Sequence, residues 1–576
     1  MEARSNGRHD EATRYGGGEI FADCERILLA HGARDRCVAL APRRFEDQNA
    51  DLCIRFDDRT WLRSPHGQEL TAGLLAHPAV VRVDRVRSEL LLELEDDALL
   101  AWERQLAVGS GGGTETADLL EGRFYEVSLV GPNLNKALHL GHLRNIALGQ
   151  AMVCALRSAG ATVRCRSLVA DIGRRICEAM SGYLEAYPGE DPRSTGLAED
   201  RFVEMCSRAF PAGRGSKAPS PGEGPNVHEE SVSGDPADEI MAAWLRGGER
   251  ERELWQRLRG WALAGHERTL GRLGVRIEEY DFESDDIPLA FDLIEEGLSR
   301  GLFEREATGA VVYRTGRSEY ATMVLLNEEG RPTECARVLG VCYRMVRDLK
   351  PGVTFLEVLG DEWRPAQTVV SDLIARLLPT HGEKAYDWLY YGLVTTDGRK
   401  MGSSTGEVVW IDDFLDDLVA GPNVTALFRI GQGAVSREEL ADIVARATFL
   451  CSPMAQPLPL DVERLLEERS GPGWTIAEAW ARAHEADQEP RTGRSARTAI
   501  IQSQQYRQVL QAALERRDPV VLANYLLRLS EAFLAGSPPG PAARPMLRRV
   551  LRSLGFAVAA PQKLHPTVQP SLAPVA

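Results

Sequence analysis

A mostly apolar segment, a turn and a helical pattern follow one another within residues 125–150. Residues 125–130 have the length and composition of a buried strand, and the Gly-Pro-Asn sequence after them favours a tight turn. From residue 140 onward, apolar residues recur at the spacing of a helix face. The pattern therefore predicts a strand, a turn and an amphipathic helix in this order.

Further strand-like runs alternate with helical patterns such as residues 287–302. These runs are residues 161–169, 310–313, 323–326 and 354–359. Such alternation predicts an α/β fold with a doubly wound, Rossmann-like parallel sheet, whose ligands lie beyond the carboxyl ends of the strands. Beyond residue 412 the pattern becomes helical throughout.

Two histidines, His139 and His142, lie at the predicted start of the first helix, with Gly141 between them. A helix N-terminus offers amide donors and a partial positive charge to phosphates, and two imidazoles one turn apart add donors. Gly141 lacks the side chain that would keep an adenine ring away from the backbone. Lys136 brings a positive charge to the same place. The segment is therefore predicted to bind a nucleoside triphosphate.

Length and composition allow a multidomain enzyme. The 576 residues have room for three or four domains, and the ten cysteines form no Cys-x-x-Cys pair, which argues against a zinc site or disulfides. No apolar run approaches the roughly 20 residues that span a membrane, and the polar first 18 residues lack a signal-peptide core. We therefore expect a cytoplasmic protein with no membrane partner and no resident metal.

The charge distribution points to a polyanionic partner. The net charge is -16, yet residues 490–565 carry twelve Arg and Lys against three acids. A solvated helical face explains this excess equally well. Only six of the 68 basic residues are lysines, and Lys136 and Lys400 are two of them. Because ammonium and guanidinium groups are not interchangeable at a phosphate site, these two lysines are candidates for phosphate contacts.

Two segments carry a family resemblance. Residues 132–145, PNLNKALHLGHLRN, resemble the HIGH signature of class I aminoacyl-tRNA synthetases in its arginyl form. Residues 397–409, DGRKMGSSTGEVV, resemble the KMSKS loop of the same class, with Ser403 where the second lysine would be. In arginyl enzymes, the lysine ahead of the HIGH signature is thought to supply that missing charge, and Lys136 fits this role.

The resemblance implies a reaction and its residues. The amino acid carboxylate would attack the α-phosphate of ATP, with Mg2+ present, and the aminoacyl adenylate would then pass to tRNA. Catalytic roles would fall to Lys136, His139, His142 and Lys400. ATP would be bound by Gly141, Gly360, Glu362, Met401 and Ser403. In such enzymes adenylate formation generally requires tRNA.

The amino acid pocket departs from the family pattern. By resemblance it is formed by Asn133, Asp171, Glu283, Glu334, Val338 and Trp363. Arginyl enzymes carry Tyr-x-x-Arg-Asp here, whose Tyr and Asp help to recognise the guanidinium, whereas residues 334–338 read Glu-Cys-Ala-Arg-Val. An unmade charge-assisted bond would cost roughly 1.5 to 3 kcal/mol.

Three interpretations of this pocket stay open. Glu334 lies one helical turn before Val338 and is in a position to supply the missing carboxylate. Alternatively, Trp363 and Val338 make the pocket shallower and more apolar, so that it accepts another amino acid. Glu334 as a plain solvated helix charge is the third interpretation.

The resemblance extends over most of the chain. It implies a degenerate, small α+β N-terminal domain, a Rossmann-like catalytic domain with an insertion, and an all-α anticodon-binding-type domain. Their expected ranges are 21–115, 121–410 with the insertion around 184–265, and 412–560. Residues 1–20 and 561–576 are predicted to be disordered. Contacts to tRNA are expected from Tyr525, Arg528, Arg548 and Arg549, and we expect a monomer.

Three functions are compatible with these observations. The first is an arginine-tRNA ligase. The second is a specialised paralogue that activates another amino acid or uses an acceptor other than tRNA. The third is a non-catalytic binding or regulatory protein on the same scaffold, although an inactive site would have no reason to keep both lysines.

Overall fold

The computed structural model describes residues 20–42, 50–107, 116–210, 235–318, 320–378, 385–396, 399–400, 408–485, 494–535 and 541–558. The two ends that were expected to be disordered, residues 1–20 and 561–576, lie outside these ranges except for Ile20.

An antiparallel sheet of order β1-β2-β4-β3, covered by helices, forms the N-terminal unit. Its elements are α1 (Ile20–Ala30), β1 (Cys37–Pro42), β2 (Leu52–Phe56), α2 (Pro65–Leu75), β3 (Val80–Val86), β4 (Glu89–Leu94) and α3 (Asp96–Ala107). Leu90, Leu92 and Leu94 of β4 are buried in its core. Ile500 and Ile501, from far along the chain, belong to the same core and tie this unit to the C-terminal helices.

The region that was expected to be catalytic is built on a five-stranded sheet of order β12-β11-β5-β6-β7, in which every neighbouring pair is parallel. Its strands are β5 (Phe124–Ser128), β6 (Thr162–Val169), β7 (Glu279–Phe282), β11 (Val353–Gly360) and β12 (Ala385–Tyr391). The expected Rossmann-like parallel sheet is thus confirmed, and β5 and β11 bring their carboxyl ends to one edge.

Helices on both faces cover this sheet. They are α4 (Leu140–Ser158), α5 (Arg174–Ala186), α6 (Pro192–Thr195), α7 (Glu199–Ala209), α8 (Pro236–Leu245), α9 (Glu249–Arg272), α10 (Ile287–Ser299), α11 (Glu334–Asp348) and α12 (Arg364–Leu377). Helices α6 to α9 form the insertion between β6 and β7, with residues 211–234 outside the described part of the chain.

Two of the predicted strand runs do not join the parallel sheet. A separate antiparallel sheet of order β10-β9-β8 contains β8 (Glu304–Arg305), β9 (Val311–Arg314) and β10 (Thr322–Leu326). The short connection between β9 and β10 fits a hairpin but is too short for a parallel crossover, which needs a dozen or more residues.

Helix α4 was predicted to be amphipathic but is buried on nearly all sides. Asn145 donates from Nδ2 to the carbonyl of Val358 in β11, at 2.9 Å. Arg144 is fully buried on another side and donates to carbonyls that include Gly392 (2.6 Å) and Pro453 (2.8 Å). Arg144 is therefore a buried donor to distant loops and not part of a solvent-exposed face.

The remainder of the chain is mainly helical, as predicted. Its elements are β13 (Val394–Thr396), β14 (Arg399–Lys400), α13 (Ile411–Ala420), α14 (Pro422–Ile430), α15 (Arg437–Leu450), β15 (Leu458–Pro459), α16 (Val462–Glu467), α17 (Pro472–Arg482), α18 (Arg494–Ser503), α19 (Tyr506–Arg516), α20 (Val520–Ala535) and α21 (Ala543–Ser553). Its helices share one core with α4. Among the described residues, no helix combines the length and the apolar character needed to cross a membrane.

Candidate active site

The turn after β5 leads directly into α4, and His139 is the N-cap of that helix. Its Nδ1 accepts a hydrogen bond from the Gly141 backbone N–H at 3.1 Å, and the His139 backbone N–H donates to Nδ1 of His142 at 3.1 Å. The two imidazole centroids lie 4.0 Å apart. The two histidines thus form a reciprocal cap on two of the amides that a helix start leaves unpaired.

This cap decides which ring nitrogen carries the proton. An Nδ1 that accepts a hydrogen bond holds no proton, so the neutral imidazole carries it on Nε2. Burial lowers the pKa of His142 well below its usual range, and the neighbouring His139, Lys136 and His266 act in the same direction. His142 is therefore neutral at neutral pH and can donate only from Nε2.

Gly141 has a packing role that the sequence did not indicate. A Cβ atom at this position would lie 2.8 Å from Cε1 and 3.0 Å from Nδ1 of His139. Such contacts require the His139 ring to move. The glycine is therefore needed by the histidine cap, in addition to the expected approach of an adenine ring.

Lys136 lies half-buried in the same turn, three residues before His139. Its charge helps to lower the pKa of His142 and of His266, which shows that it lies near both. His266, in α9, donates from Nε2 to the carbonyl oxygen of Lys136 at 2.8 Å. Sequence reasoning missed this histidine, which lies 130 residues away in the chain.

The second nucleotide segment ends close to the first. Lys400 pairs with Thr395 across β13 and β14, whereas Met401 and Ser403 lie outside the described residues. On the far side of the loop, Trp410 pairs with His139 in an antiparallel bridge, and the Leu140 N–H donates to the Val409 carbonyl at 3.0 Å. The end of the loop thus lies directly against the His139 cap.

The predicted ribose site lies at the carboxyl end of β11, which Gly360 terminates. A Cβ atom at Gly360 would lie 2.2 Å from Oε2 of Glu362, so the glutamate carboxylate is folded back over the glycine. Only glycine leaves room for this arrangement. The two predicted residues therefore lie together, next to the strand that Asn145 connects to α4.

Asp171 is completely buried and is already bound by protein groups. Its two oxygens accept from the backbone N–H (2.9 Å) and the hydroxyl (2.7 Å) of Ser284, and the Arg259 guanidinium lies 3.2 Å away. Asn133 bridges to Ala170 beside it. We therefore correct the role expected for Asp171 from direct substrate contact to holding the segment that carries Glu283.

Glu283 pairs with a guanidinium of the chain itself. Its Oε2 lies 2.8 Å from Nε of Arg337, and both side chains are buried. Arg337 also donates to the carbonyl of Pro332 at 3.0 Å and lies so close to Gly173 that a Cβ atom there would be 2.6 Å from Nη2. Burial raises the pKa of Glu283 to about 8, with Glu334 and Asp171 also raising it and Arg337 opposing them.

The three substituted pocket positions lie close to this pair. Glu334, half-buried in the first turn of α11, is near enough to raise the pKa of Glu283. Val338 is 8% exposed and belongs to an apolar cluster against which Trp363 packs. The structure thus places Glu334 beside the acidic side of the pocket and brings Val338 and Trp363 into one apolar cluster.

The four predicted RNA contacts differ in exposure. Tyr525 is 1% exposed and donates from its hydroxyl to the Gln502 carbonyl at 2.9 Å, so it is a core residue, and we correct its expected role. Arg528 is half-buried. Arg548 and Arg549 are also half-buried and lie over the rings of Trp480 (5.7 Å) and Tyr506 (4.2 Å).

Comparison with known proteins agrees with this geometry. Over 440 residues the chain is 29% identical to an arginine-tRNA ligase of Treponema denticola, covering 72% of each chain. Over 318 residues the chain is 29% identical to the arginine-tRNA ligase of Amoebophilus asiaticus. This match spans 53%, or about half, of the length of that ligase. A solved Thermus thermophilus arginyl-tRNA synthetase superposes with a TM-score of 0.61 at 21% identity, covering 93% of this chain and 97% of that one. No family model matches the chain.

A parallel sheet whose central strand leads through a lysine-bearing turn into a helix capped by two histidines is the arrangement that the resemblance to class I aminoacyl-tRNA synthetases predicts. Within that class, the chain is similar to the arginine-tRNA ligases, at 29% identity to the two relatives named above.

Proposed function

We propose that this protein is a ligase of the arginine-tRNA ligase type, which activates its amino acid with ATP and transfers it to tRNA. The main support is the paired histidine cap, because it fixes two imidazoles as Nε2 donors at a helix N-terminus. Lys136 adds a cation beside them. These groups would stabilise charge on the phosphates in the transition state.

Lys400, Met401 and Ser403 are proposed to act on ATP from the second loop, and Gly360 with Glu362 on its ribose. Mg2+ would enter as the ATP complex, since this ion is usually held by substrate phosphates and few carboxylates. Within the described ranges, no group of three or more His, Cys, Asp or Glu is arranged to hold a metal ion.

The charge of the pocket favours a cationic amino acid. Arg259 lies beside Asp171, and Arg337 lies beside Glu283, whose pKa is raised by burial and further by Glu334 and Asp171. A guanidinium bound near Glu283 and Glu334 would lower the pKa of Glu283 and favour its ionised form. Arginine is therefore the proposed substrate, with Glu334 in place of the missing acid and Asn133 near the α-amino or carboxylate group.

The alternative is a paralogue with another amino acid or acceptor. It is favoured by the packing of Val338 and Trp363 in one apolar cluster, which would give the pocket an apolar wall.

Transfer to tRNA is supported by a basic face of α21 that carries Arg544, Arg548 and Arg552. Burial lowers the pKa of Arg548, and the charges of Arg552 and Arg544 lower it further. The monomeric state and the cytoplasmic location stay predictions from the sequence.

The proposed function is tested by ATP-pyrophosphate exchange with each amino acid, with and without tRNA. Exchange with arginine that depends on tRNA is expected. Exchange with a different amino acid would support the paralogue. Binding of ATP without exchange under any condition would support a non-catalytic protein on this scaffold.

Replacing Gly141 by alanine is expected to lower kcat for exchange about tenfold to a hundredfold, because the new Cβ displaces the His139 ring from its position. The assay is steady-state exchange with the amino acid that the wild-type protein activates. Gly260→Ala in α9 is the matched control, since a Cβ there meets open space. Equal activities of the two variants would show that the His139 position is unimportant.

A further inference from the structure

The turn that carries Lys136 is bound on successive residues by the insertion. The Asn135 amide donates to the Ser207 hydroxyl at 3.3 Å, and the Ala137 backbone N–H donates to Oε2 of Glu204 at 3.1 Å. Between them, the Lys136 carbonyl accepts from Nε2 of His266 at 2.8 Å. Residues from α7 and α9 therefore bind the side chain before the lysine, the carbonyl of the lysine and the backbone N–H after it.

His266 is specialised for this contact. It is 1% exposed, and burial lowers its pKa to about 4, so it is neutral and uses its one proton to donate from Nε2. Its Nδ1 is buried and accepts no hydrogen bond from the residues that the structure describes. An unsatisfied buried acceptor costs free energy. Because an apolar side chain would avoid this cost, its presence needs a reason other than packing.

Glu204 links the same turn to the second nucleotide loop. Its Oε2 also accepts from Nε1 of Trp410 at 3.0 Å, and Trp410 bridges to His139. Arg208 donates to its Oε1 at 2.5 Å, and the Arg201 guanidinium lies 4.3 Å from the centre of the Trp410 ring. One buried carboxylate thus joins the Lys136 turn to the residue that follows the loop.

The two insertion helices are themselves fixed to each other and to α13. Gly265 lies so close to Asp200 of α7 that a Cβ atom would be 2.4 Å from its carboxyl carbon. Thr269 and Arg272 of α9 bind the Asp412 carboxylate at 2.6 and 2.7 Å. His266 and Glu204 are therefore held on rigid elements, as precise positioning of a charged group requires.

We propose that His266 and Glu204 are positioning residues that set the location of the Lys136 ammonium relative to the phosphates of ATP. The inference rests on the proposed function and adds a role for the insertion. Neither residue would touch the substrate. A displaced lysine would lower the rate of the chemical step more than it would weaken ATP binding, because charge at the α-phosphate grows in the transition state.

His266→Leu removes the donor, and His266→Gln keeps an amide nitrogen near the position of Nε2. We expect His266→Leu to lower kcat for exchange about tenfold to a hundredfold, with a change in KM for ATP of less than about threefold, and His266→Gln to recover most of the loss. Gly260→Ala, in the same helix α9, is the matched control because a Cβ atom there meets open space.

A mutant cycle separates positioning from simple loss of structure. If His266 acts through Lys136, His266→Leu adds less than about twofold to the loss already caused by Lys136→Met. Two results would overturn the inference. One is an equal loss of kcat in His266→Leu and His266→Gln, and the other is a double variant whose loss of kcat is the product of the two single losses. Isothermal titration with ATP is the second readout, and wild-type protein that neither binds ATP nor exchanges would overturn the proposed function itself.

Discussion

Replacement of Lys136 by methionine is expected to reduce kcat for ATP-pyrophosphate exchange by about a hundredfold to a thousandfold, a range typical for the loss of one group that stabilises transition-state charge. Methionine keeps most of the length of the side chain and removes only its charge. Burial lowers the pKa of His142 and of His266, and the charge of Lys136 lowers both further. The same charge would act on phosphates bound at the Nε2 atoms of the cap.

Two variants serve as controls for this result. Lys136→Arg keeps the charge but spreads it over a planar group, so we expect a partial loss of about tenfold. Lys350→Met removes an exposed lysine in the turn before β11, at the end of the sheet opposite Gly360, and is expected to leave exchange unchanged. Full activity of Lys136→Met would show that the second loop alone supplies the cationic charge.

The local parts of this site were predictable from the sequence. The strand before residue 131 and the helix start at His139 depend on residues within a few positions of each other. Gly360 and Glu362 are likewise neighbours in the chain. In each case the spacing along the sequence fixes the spacing in space.

The parts that were missed depend on residues far apart in the chain. His266 lies 130 residues from Lys136, and Arg144 binds carbonyls roughly 250 to 310 residues away. Tyr525 was predicted to contact RNA, yet it is buried and its hydroxyl donates to the carbonyl of Gln502 in α18. A side chain with a polar end looks the same in sequence whether that end meets solvent or a distant backbone group.

The same limit applies to the amino acid pocket. Its substituted positions, Glu334 and Val338, were found from the sequence because they break a local pattern. The partner of Glu283 was not found, because nothing between residues 283 and 337 indicates that the two side chains meet. Their pairing has a direct consequence for stability.

Replacement of Arg337 by leucine is expected to destabilise the catalytic region by about 1 to 2 kcal/mol at pH 6 and by about 3 kcal/mol at pH 9. At the lower pH, the cost is that of the lost hydrogen bonds to Glu283 and Pro332. At the higher pH, Glu283 must either ionise without its cation or stay protonated at a cost in free energy. Urea unfolding of the catalytic region at each pH measures the difference.

The pH dependence follows from the pKa of Glu283, which burial raises from 4.5 to about 8. Because the folded-state pKa is the higher one, the stability from this group is fully present below pH 4.5 and is lost as the pH rises through 8. Without Arg337 the folded-state pKa rises further, so the loss continues above pH 8, by up to about 1.4 kcal/mol per pH unit. The deficit of the variant therefore widens mainly above pH 8.

The double variant Glu283→Gln with Arg337→Leu replaces the pair by two neutral groups. We expect it to recover most of the loss at pH 9 and to remove this pH dependence, because no uncompensated charge is left. Arg300→Leu, which breaks an exposed pair with Glu296, is expected to change the free energy of unfolding by less than about 0.5 kcal/mol. A loss of unfolding free energy in Arg337→Leu that stays constant from pH 6 to pH 9 would mean that the ionisation of Glu283 does not depend on Arg337. The Glu283 carboxylate could then bind a cationic substrate without help from Arg337.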